Sequence, residues 1–107
     1  MQAADDTTLI SITIFTAKAE YFDAFLETQL ENLPSLGALS GSLAAQFYIA
    51  RDERRAILVS QFRDQEHLGG FQQTEAFLAH RERLRPMLDG AQSSLYTLAY
   101  AREPQPA

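Results

Sequence analysis

Hydrophobic and polar positions along the chain repeat with two different periods, and these periods predict its first elements. β-branched residues dominate positions 9–16, and Ile10, Ile12 and Ile14 alternate onto one face, a pattern typical of a strand. Over residues 18–33, apolar side chains recur every three or four positions and predict a helix that ends before Pro34. Gln29 is the polar exception on the apolar stripe of this helix. The first part of the chain is therefore predicted as a strand followed by a helix.

The rest of the chain predicts two strands, a second helical region and a last strand. Every residue of segment 51–55 is charged, which indicates a solvated hairpin turn between strands two and three. The Gly69-Gly70 pair predicts a break, at or after these glycines, in the second helical region. Pro86 is expected to interrupt or bend the late part of this region. The predicted bounds are 43–51, 56–63 and 94–102 for the strands, and 65–71 and 74–88 for the helices, which Asp64 and Thr74 cap.

The order of these elements, β-α-β-β-α-β, defines a ferredoxin-like fold of the α+β class. It predicts a four-stranded antiparallel sheet with the helices on one face. A chain of 107 residues is long enough for one domain. We therefore expect a single domain over residues 1–107, with its core at 8–102 and frayed ends at 1–7 and 103–107.

Composition and charge argue against several classes of function. The chain is 46% hydrophobic and 21% charged, as expected for a soluble globular protein. Its net charge of −5, without a basic stripe, disfavours a nucleic-acid partner. No apolar run approaches the roughly 20 residues of a membrane span, and residues 1–7 do not resemble a signal peptide. The chain has no cysteine, and its two histidines lack metal-ligand spacing, so we expect a cytoplasmic protein without a metal site.

The sheet face that the helices leave open is predicted to form a homodimer. Two helices cover one face of the sheet, so a fully solvated second face would be polar. The pattern places a mixture of apolar and polar residues there, and exposed apolar area of this kind marks an interface. We expect two such faces to pack together around a two-fold axis, and the alternative is a monomer with a moderately apolar sheet surface. The residues assigned to the open face are Ser11, Thr13, Phe15, Gln46, Tyr48, Ile57, Val59 and Gln61.

Two segments carry a resemblance to a known family. They are QFRDQEHL at residues 61–68, where a strand ends in an aromatic residue before an acidic helix start, and FLAH at residues 77–80. Together with the order of elements over residues 9–102, they resemble the antibiotic biosynthesis monooxygenase domain, a group of small dimeric α+β barrel proteins. The resemblance implies a pocket between helices and sheet that binds a flat, oxidisable aromatic or quinol. Some members oxygenate such a ring without metal or flavin, because the substrate anion itself reduces oxygen.

The chain departs from characterised members of this family at several positions. Phe62 stands where the family often has Trp. Leu58 and Leu68 match the positions at which the quinone-forming members carry Asn and Tyr. The haem-degrading members carry an Asn in the first strand, which residues 8–16 lack, although His80 lies within about one residue of their haem ligand.

The candidate site combines two polar residues with apolar walls. His80 is the candidate general base, because a histidine titrates near neutral pH and can accept a phenol proton. Ser60 interrupts an apolar strand face and either orients a ligand carbonyl or bonds to the backbone. His80 is alternatively an ordinary helix histidine, and the aromatic residues are alternatively plain core. The residues expected to bind the substrate are Leu58, Phe62, His67, Phe71, Phe77 and Leu84.

The function expected from this resemblance is oxygenation of a phenolic, quinol or polyketide-like aromatic, without a cofactor. The alternative is a ligand-binding or stress-related dimer on the same fold that catalyses no reaction. Haem binding or degradation is a third possibility.

Overall fold

A computed structural model of the protein describes residues 8–38, 41–51 and 54–102. Four strands and three α-helices make up this part of the chain, with short 3₁₀ turns at Ala19–Tyr21 and Arg85–Met87. The strands are β1 (Leu9–Ala17), β2 (Ser42–Ile49), β3 (Arg55–Phe62) and β4 (Leu88–Tyr96), and the helices are α1 (Phe22–Gly37), α2 (Gln65–Gln72) and α3 (Glu75–Leu84).

The strands form one antiparallel sheet in the order β2-β3-β1-β4. This arrangement confirms the ferredoxin-like α+β fold that the order of elements predicts. The predicted frayed ends at residues 1–7 and 103–107 lie outside the described residues, as does part of the charged hairpin at 51–55.

Helix α1 passes through Pro34 and continues to Gly37, so the prediction that Pro34 ends the helix was wrong. A proline inside a helix removes one N–H donor and leaves the carbonyl four residues earlier without its bond. That residue is Leu30, whose side chain is 58% exposed, so its turn of the helix faces water. Solvent can satisfy the freed carbonyl there, and the helix tolerates the proline in its last turns.

The last strand begins at Leu88 and not at residue 94, because the preceding helix is shorter than predicted. Helix α3 ends at Leu84, and Pro86 lies in the first turn of a 3₁₀ segment that leads directly into β4. The start of β4 has no alternating apolar pattern because most of its residues are exposed at the edge of the sheet. Tyr100, predicted on this strand, lies beyond its end.

The assignment of β1 side chains to the two sheet faces was also wrong. Phe15 pairs with Ala56 across the β1–β3 ladder, and residues that pair directly share a face. Phe15 is buried, and its ring lies 5.3 Å from that of Phe25 in α1, so this face is the one that the helices cover. Ser11 and Thr13 lie on it too. The isoleucines of β1, which are Ile10, Ile12 and Ile14, therefore face the open side.

The core lies between α1 and the middle of the sheet. Phe25 has no exposed surface, and its ring contacts Phe15 and also Phe47 of β2, at 6.2 Å between centroids. Ala17 and Ala56 are buried beside them and let the helix approach the strands closely. This packing holds α1 against one part of the sheet and leaves space between the sheet and α2 and α3.

Candidate ligand-binding site

A cavity of about 180 Å³ lies in that space, between the helix-covered face of the sheet and the three helices. Seven of the eight site residues predicted from the sequence line it, and His67 does not. These seven are Leu58, Ser60, Phe62, Phe71, Phe77, His80 and Leu84. The wall also contains residues that the sequence analysis did not assign to the site, among them Thr13, Phe15, Gln29, Leu33, Leu36, Ala45, Arg81 and Ser93.

Three phenylalanines form a continuous aromatic wall. The Phe71 ring lies 5.2 Å from that of Phe62 and 5.1 Å from that of Phe77, with the planes tilted by 54° in both pairs. The guanidinium of Arg81 lies 5.9 Å from the centre of the Phe77 ring, within the range of a cation–π interaction. One edge of an otherwise apolar wall therefore carries a positive charge.

Thr74 sets the break between α2 and α3 that brings two of these rings together. Its hydroxyl donates to the Phe71 carbonyl at 2.8 Å and accepts from the Phe77 backbone N–H at 3.2 Å. It thus satisfies a carbonyl of the first helix and an N–H of the second. The break lies after the Gly69-Gly70 pair, which is inside α2, as the sequence analysis allowed.

His80 and Gln29 form a buried pair that joins α3 to α1. The exposed fractions are 7% for His80 and 1% for Gln29, and His80 Nε2 lies 2.5 Å from Gln29 Oε1. Burial lowers the pKa of His80 below its ordinary value of 6.5, and the positive charge of Arg83 lowers it further. The ring is therefore held neutral and has one nitrogen that can accept a proton.

Hydroxyl groups lie on the sheet side of the cavity. The hydroxyl oxygens of Thr13 and Ser93, on the paired strands β1 and β4, lie 2.7 Å apart. Ser60 lines the cavity from β3. A ligand would therefore contact polar groups on the strands and at the His80–Gln29 pair, and apolar rings between them.

His67 lies at the start of α2, away from the cavity wall. Asp64 caps this helix by accepting from the His67 backbone N–H at 2.9 Å, and its carboxylate also lies 2.6 Å from His67 Nδ1. The side-chain bond from His67 lowers the pKa of Asp64, and the backbone bond acts in the same direction. His67 also packs against Gly41, whose φ is +96°. A Cβ added at Gly41 would lie 2.9 Å from the Cβ of His67. These contacts give His67 a structural role at the entry to β2.

Sequence reasoning missed several residues of the site for identifiable reasons. Gln29 carried a signal, since it alone broke an apolar stripe. Thr13 was assigned to the wrong sheet face, and Ser93 lay in a segment that was not predicted as strand. Arg81 also lines the cavity, whereas the neighbouring Arg83 donates to Asn32 at 3.4 Å.

None of the helices in the described ranges is long and apolar enough to cross a bilayer. Among the same residues, no group of three or more His, Asp or Glu side chains is placed to hold a metal ion.

A ferredoxin-like sheet with a cavity under its helices defines a class of small α+β proteins suited to hold a small molecule. The sequence matches the model of the antibiotic biosynthesis monooxygenase family over residues 8–83. This match spans most of the chain, and the protein belongs to that family. Among proteins of curated function, none matches the sequence.

Solved structures share the fold at low sequence identity. PA3566 from Pseudomonas aeruginosa is 24% identical with a TM-score of 0.78, and the match covers 88% of this chain and 97% of that one. Rv0793 from Mycobacterium tuberculosis is 16% identical with a TM-score of 0.77 and coverages of 92% and 100%. A variant of SnoaB, a cofactor-independent oxygenase from Streptomyces nogalater, is 17% identical with a TM-score of 0.75 and coverages of 94% and 99%.

Proposed function

We propose that the protein is a monooxygenase that oxidises a small phenolic or quinol ring in the cavity between helices and sheet. The observation that carries this proposal is the place of His80. It is the one titratable side chain buried among the described residues, and it lines a largely apolar cavity. A neutral imidazole has a nitrogen lone pair that can accept the proton of a phenol, and the lowered pKa of His80 favours a phenol that is itself acidic. Membership of the monooxygenase family supports the same reaction class.

The size of the cavity favours a single ring over a polyketide-like system of several rings. Its volume of about 180 Å³ is slightly above the ~150 Å³ of a cavity that binds benzene, and below the roughly 300–1,000 Å³ of pockets for drug-sized ligands. One substituted ring fits between the phenylalanines and the strand hydroxyls. A haem group or a fused tricyclic ring exceeds this volume and would have to extend into an adjoining space of about 360 Å³, which Leu33, Gly37, Ala45 and Leu58 also line.

The proposed reaction converts a phenol and one molecule of oxygen into a quinone and one molecule of water. His80 accepts the phenol proton, and the resulting phenolate reduces oxygen as a C–O bond forms at a ring carbon. The proton on His80 then returns to the outer oxygen of the adduct. That oxygen leaves as water together with the hydrogen of the ring carbon, and a second carbonyl remains. The substrate supplies all four electrons, so the reaction needs no separate reductant.

Oxygen consumption by purified protein tests this proposal. We expect single-ring phenols and quinols to be oxidised, while anthrone, a tricyclic ring, is not. His80→Phe removes the base and is expected to lower the rate by about 10²-fold or more. His67→Asn is the matched control, because it removes the other histidine, which does not line the cavity, without adding a larger side chain beside Gly41. Absence of oxygen uptake with every phenol and quinol tested would contradict the proposal.

The second candidate function is binding without catalysis. Resemblance to the quinone-forming members implies polar residues at positions 58 and 68, but Leu58 presents an apolar side chain to the cavity and Leu68 is 4% exposed. Both positions lack a group that can hold a reacting oxygen. Ring binding by the wild type without oxygen uptake, and with no product, would favour this candidate.

We also propose that the open sheet face packs against a second copy of the chain. Ile10, Ile12 and Ile14 of β1 lie on this face beside Ile57 and Val59 of β3, so its centre is continuously apolar. Apolar area of this kind on a soluble domain marks an interface. Light scattering after size-exclusion chromatography is expected to give twice the chain mass of 12.0 kDa. A mass of one chain at micromolar concentration would contradict the dimer.

A further inference from the structure

The space that adjoins the cavity is a groove between the C-terminal half of α1 and strand β2, with a volume of about 360 Å³. Four residues line both the cavity and the groove, and these are Leu33, Gly37, Ala45 and Leu58. Four more residues, of which one is polar, complete the wall of the groove, and these are Leu30, Pro34, Gln46 and Phe47. No charged side chain of the described residues lines the groove, so it offers mainly apolar contacts.

Helix α1 shows which end of the cavity meets the groove. Gln29, Leu33 and Gly37 follow one another at intervals of four residues and therefore lie on one side of the helix. All three line the cavity, whereas only Leu33 and Gly37 also line the groove. The cavity thus extends from Gln29, whose side chain bonds to His80, and meets the groove one to two helical turns further along. A ring whose hydroxyl lies near His80 has its opposite side towards the groove.

Small residues lie where the two spaces meet. Gly37 has no side chain, and a Cβ added there would meet no atom within 4 Å outside the adjoining helix backbone. On the strand side, Ala45 pairs with Ser60 of the cavity wall, so its methyl group lies on the helix-covered face of the sheet. Ala45 is nevertheless exposed, because α1 does not cover it. These two positions leave room for a ligand group between α1 and β2.

We infer that the ligand is a phenol or quinol whose ring carries an apolar side chain opposite the hydroxyl, such as a short alkyl chain. The ring occupies the cavity, and its side chain passes between Gly37 and Ala45 into the groove. Leu58, which lines both spaces, contacts the ligand where ring and side chain join. This inference rests on the proposed function for the position of the ring and adds the substituent that the ring carries.

The groove favours an apolar side chain because its own wall is in contact with water. Leu30 is 58% exposed there, and covering apolar surface of this kind strengthens binding. Full burial of one methylene group strengthens binding about fourfold. Since the groove is open to solvent on one side, we expect about twofold for each carbon, and therefore about tenfold for a chain of four carbons.

Binding of phenol and 4-butylphenol to the wild-type protein tests this inference. Chemical-shift titrations in ¹H–¹⁵N spectra give the dissociation constants, and 4-butylphenol is expected to bind about tenfold more tightly. The backbone amides of Leu30, Gln46 and Phe47, which line the groove alone, are expected to shift with 4-butylphenol and not with phenol. The amides of Phe71 and Phe77 in the cavity wall are expected to shift with both.

Leu30→Glu separates the groove from the cavity, which Leu30 does not line. A carboxylate on the groove wall opposes burial of an alkyl chain, so the gain from the butyl group is expected to fall to about threefold or less. Affinity for phenol is expected to stay within about twofold. Leu78→Glu, at an exposed leucine of α3 that lines neither space, is the matched control and keeps the gain. The amide shifts of the wild type locate the butyl group independently if Leu30→Glu does not fold.

The outcomes distinguish this inference from the proposed function. Equal affinity for the two phenols, groove amides that do not shift, or a gain that survives Leu30→Glu overturns the inference and leaves the cavity as a ring-binding site. Tighter binding of 4-butylphenol with no oxygen uptake supports the inference and favours binding without catalysis. Failure of both phenols to bind overturns both proposals. A fall from two chains to one in Leu30→Glu, measured by light scattering, would show that a second copy occupies the groove, and this too overturns the inference.

Discussion

The two faces of the central sheet carry side chains opposite in polarity to what covers them. The face under the helices has several polar residues, and the face without helices has exposed apolar ones. The face under the helices carries the hydroxyls of Thr13, Ser60 and Ser93, whereas the uncovered face carries Ile14 and Ile57 at 38% and 37% exposure. Polar groups under helices require partners, and apolar groups in water gain from being covered. This contrast agrees with the two proposals that a ligand binds on the covered face and that a second copy of the chain packs on the open face.

The largest expected effect comes from the packing under the helices. Phe25→Ala removes the ring that contacts Phe15 and Phe47 and is expected to lower the free energy of unfolding by about 3–5 kcal/mol. Denaturant unfolding at a fixed protein concentration measures this change. Leu30→Ala, at an exposed position of the same helix, is the matched control and is expected to cost well under half as much. Equal effects at both positions would show that α1 does not pack as described.

A charge on the open face is expected to separate the two copies. Ile14→Arg places a guanidinium in the apolar centre of the proposed interface and is expected to weaken the dimer about 100-fold, or about 2.7 kcal/mol. Ile49→Arg is the matched control, because Ile49 is 43% exposed but pairs with Ala56 on the helix-covered side. Light scattering over a dilution series measures the dissociation constant of the dimer for both variants. Equal weakening by the two changes would contradict an interface on the open face.

The buried histidine makes the stability of the protein depend on pH. The pKa of His80 is lowered in the folded state by burial and then by Arg83, so the unfolded chain binds a proton more readily. Stability is therefore complete above about pH 6.5, the unfolded value, and falls as the pH decreases towards the folded pKa. The slope contributed by this group is at most about 1.4 kcal/mol per pH unit.

Unfolding at a series of pH values between 5 and 8 measures this dependence. The slope is expected to decrease in His80→Leu, which removes the buried imidazole, and to persist in His67→Asn, which keeps it. An unchanged slope in His80→Leu would show that protonation of other groups causes the loss of stability.

The fold could be predicted because its elements have clear hydrophobic periods. Which side chains of each strand face the helices could not be predicted in the same way. β1 is apolar on both sides, with Ile12 on one and Phe15 on the other, so a period of two identifies the strand and leaves its orientation open. The strand partners decide the orientation, since Phe15 pairs with Ala56 where α1 approaches closely. Edge strand β4 had no apolar alternation, and its start was therefore missed.

The candidate site was predictable where it consists of apolar residues near the family motif, and less so where it is polar. Phe62, Phe71 and Phe77 follow from strand and helix spacing. The pairing of Gln29 with His80 joins residues 51 positions apart and depends on how α1 crosses α3, which no local pattern contains. The lone glutamine on an apolar stripe was the available signal, and its partner appears only in three dimensions.

The smallest expected effect concerns the junction that holds the aromatic wall. Thr74→Ala removes the hydroxyl that bonds to Phe71 and Phe77 and is expected to cost about 1 kcal/mol of stability. Thr74→Ser keeps the hydroxyl and is expected to cost a few tenths. Because this junction lies on the helix-covered side, ring binding weakens in Thr74→Ala while the mass in light scattering stays that of the wild type. Loss of the dimer in Thr74→Ala would show that the two faces are coupled. It would contradict the proposal that one face binds the ligand and the other forms the dimer independently.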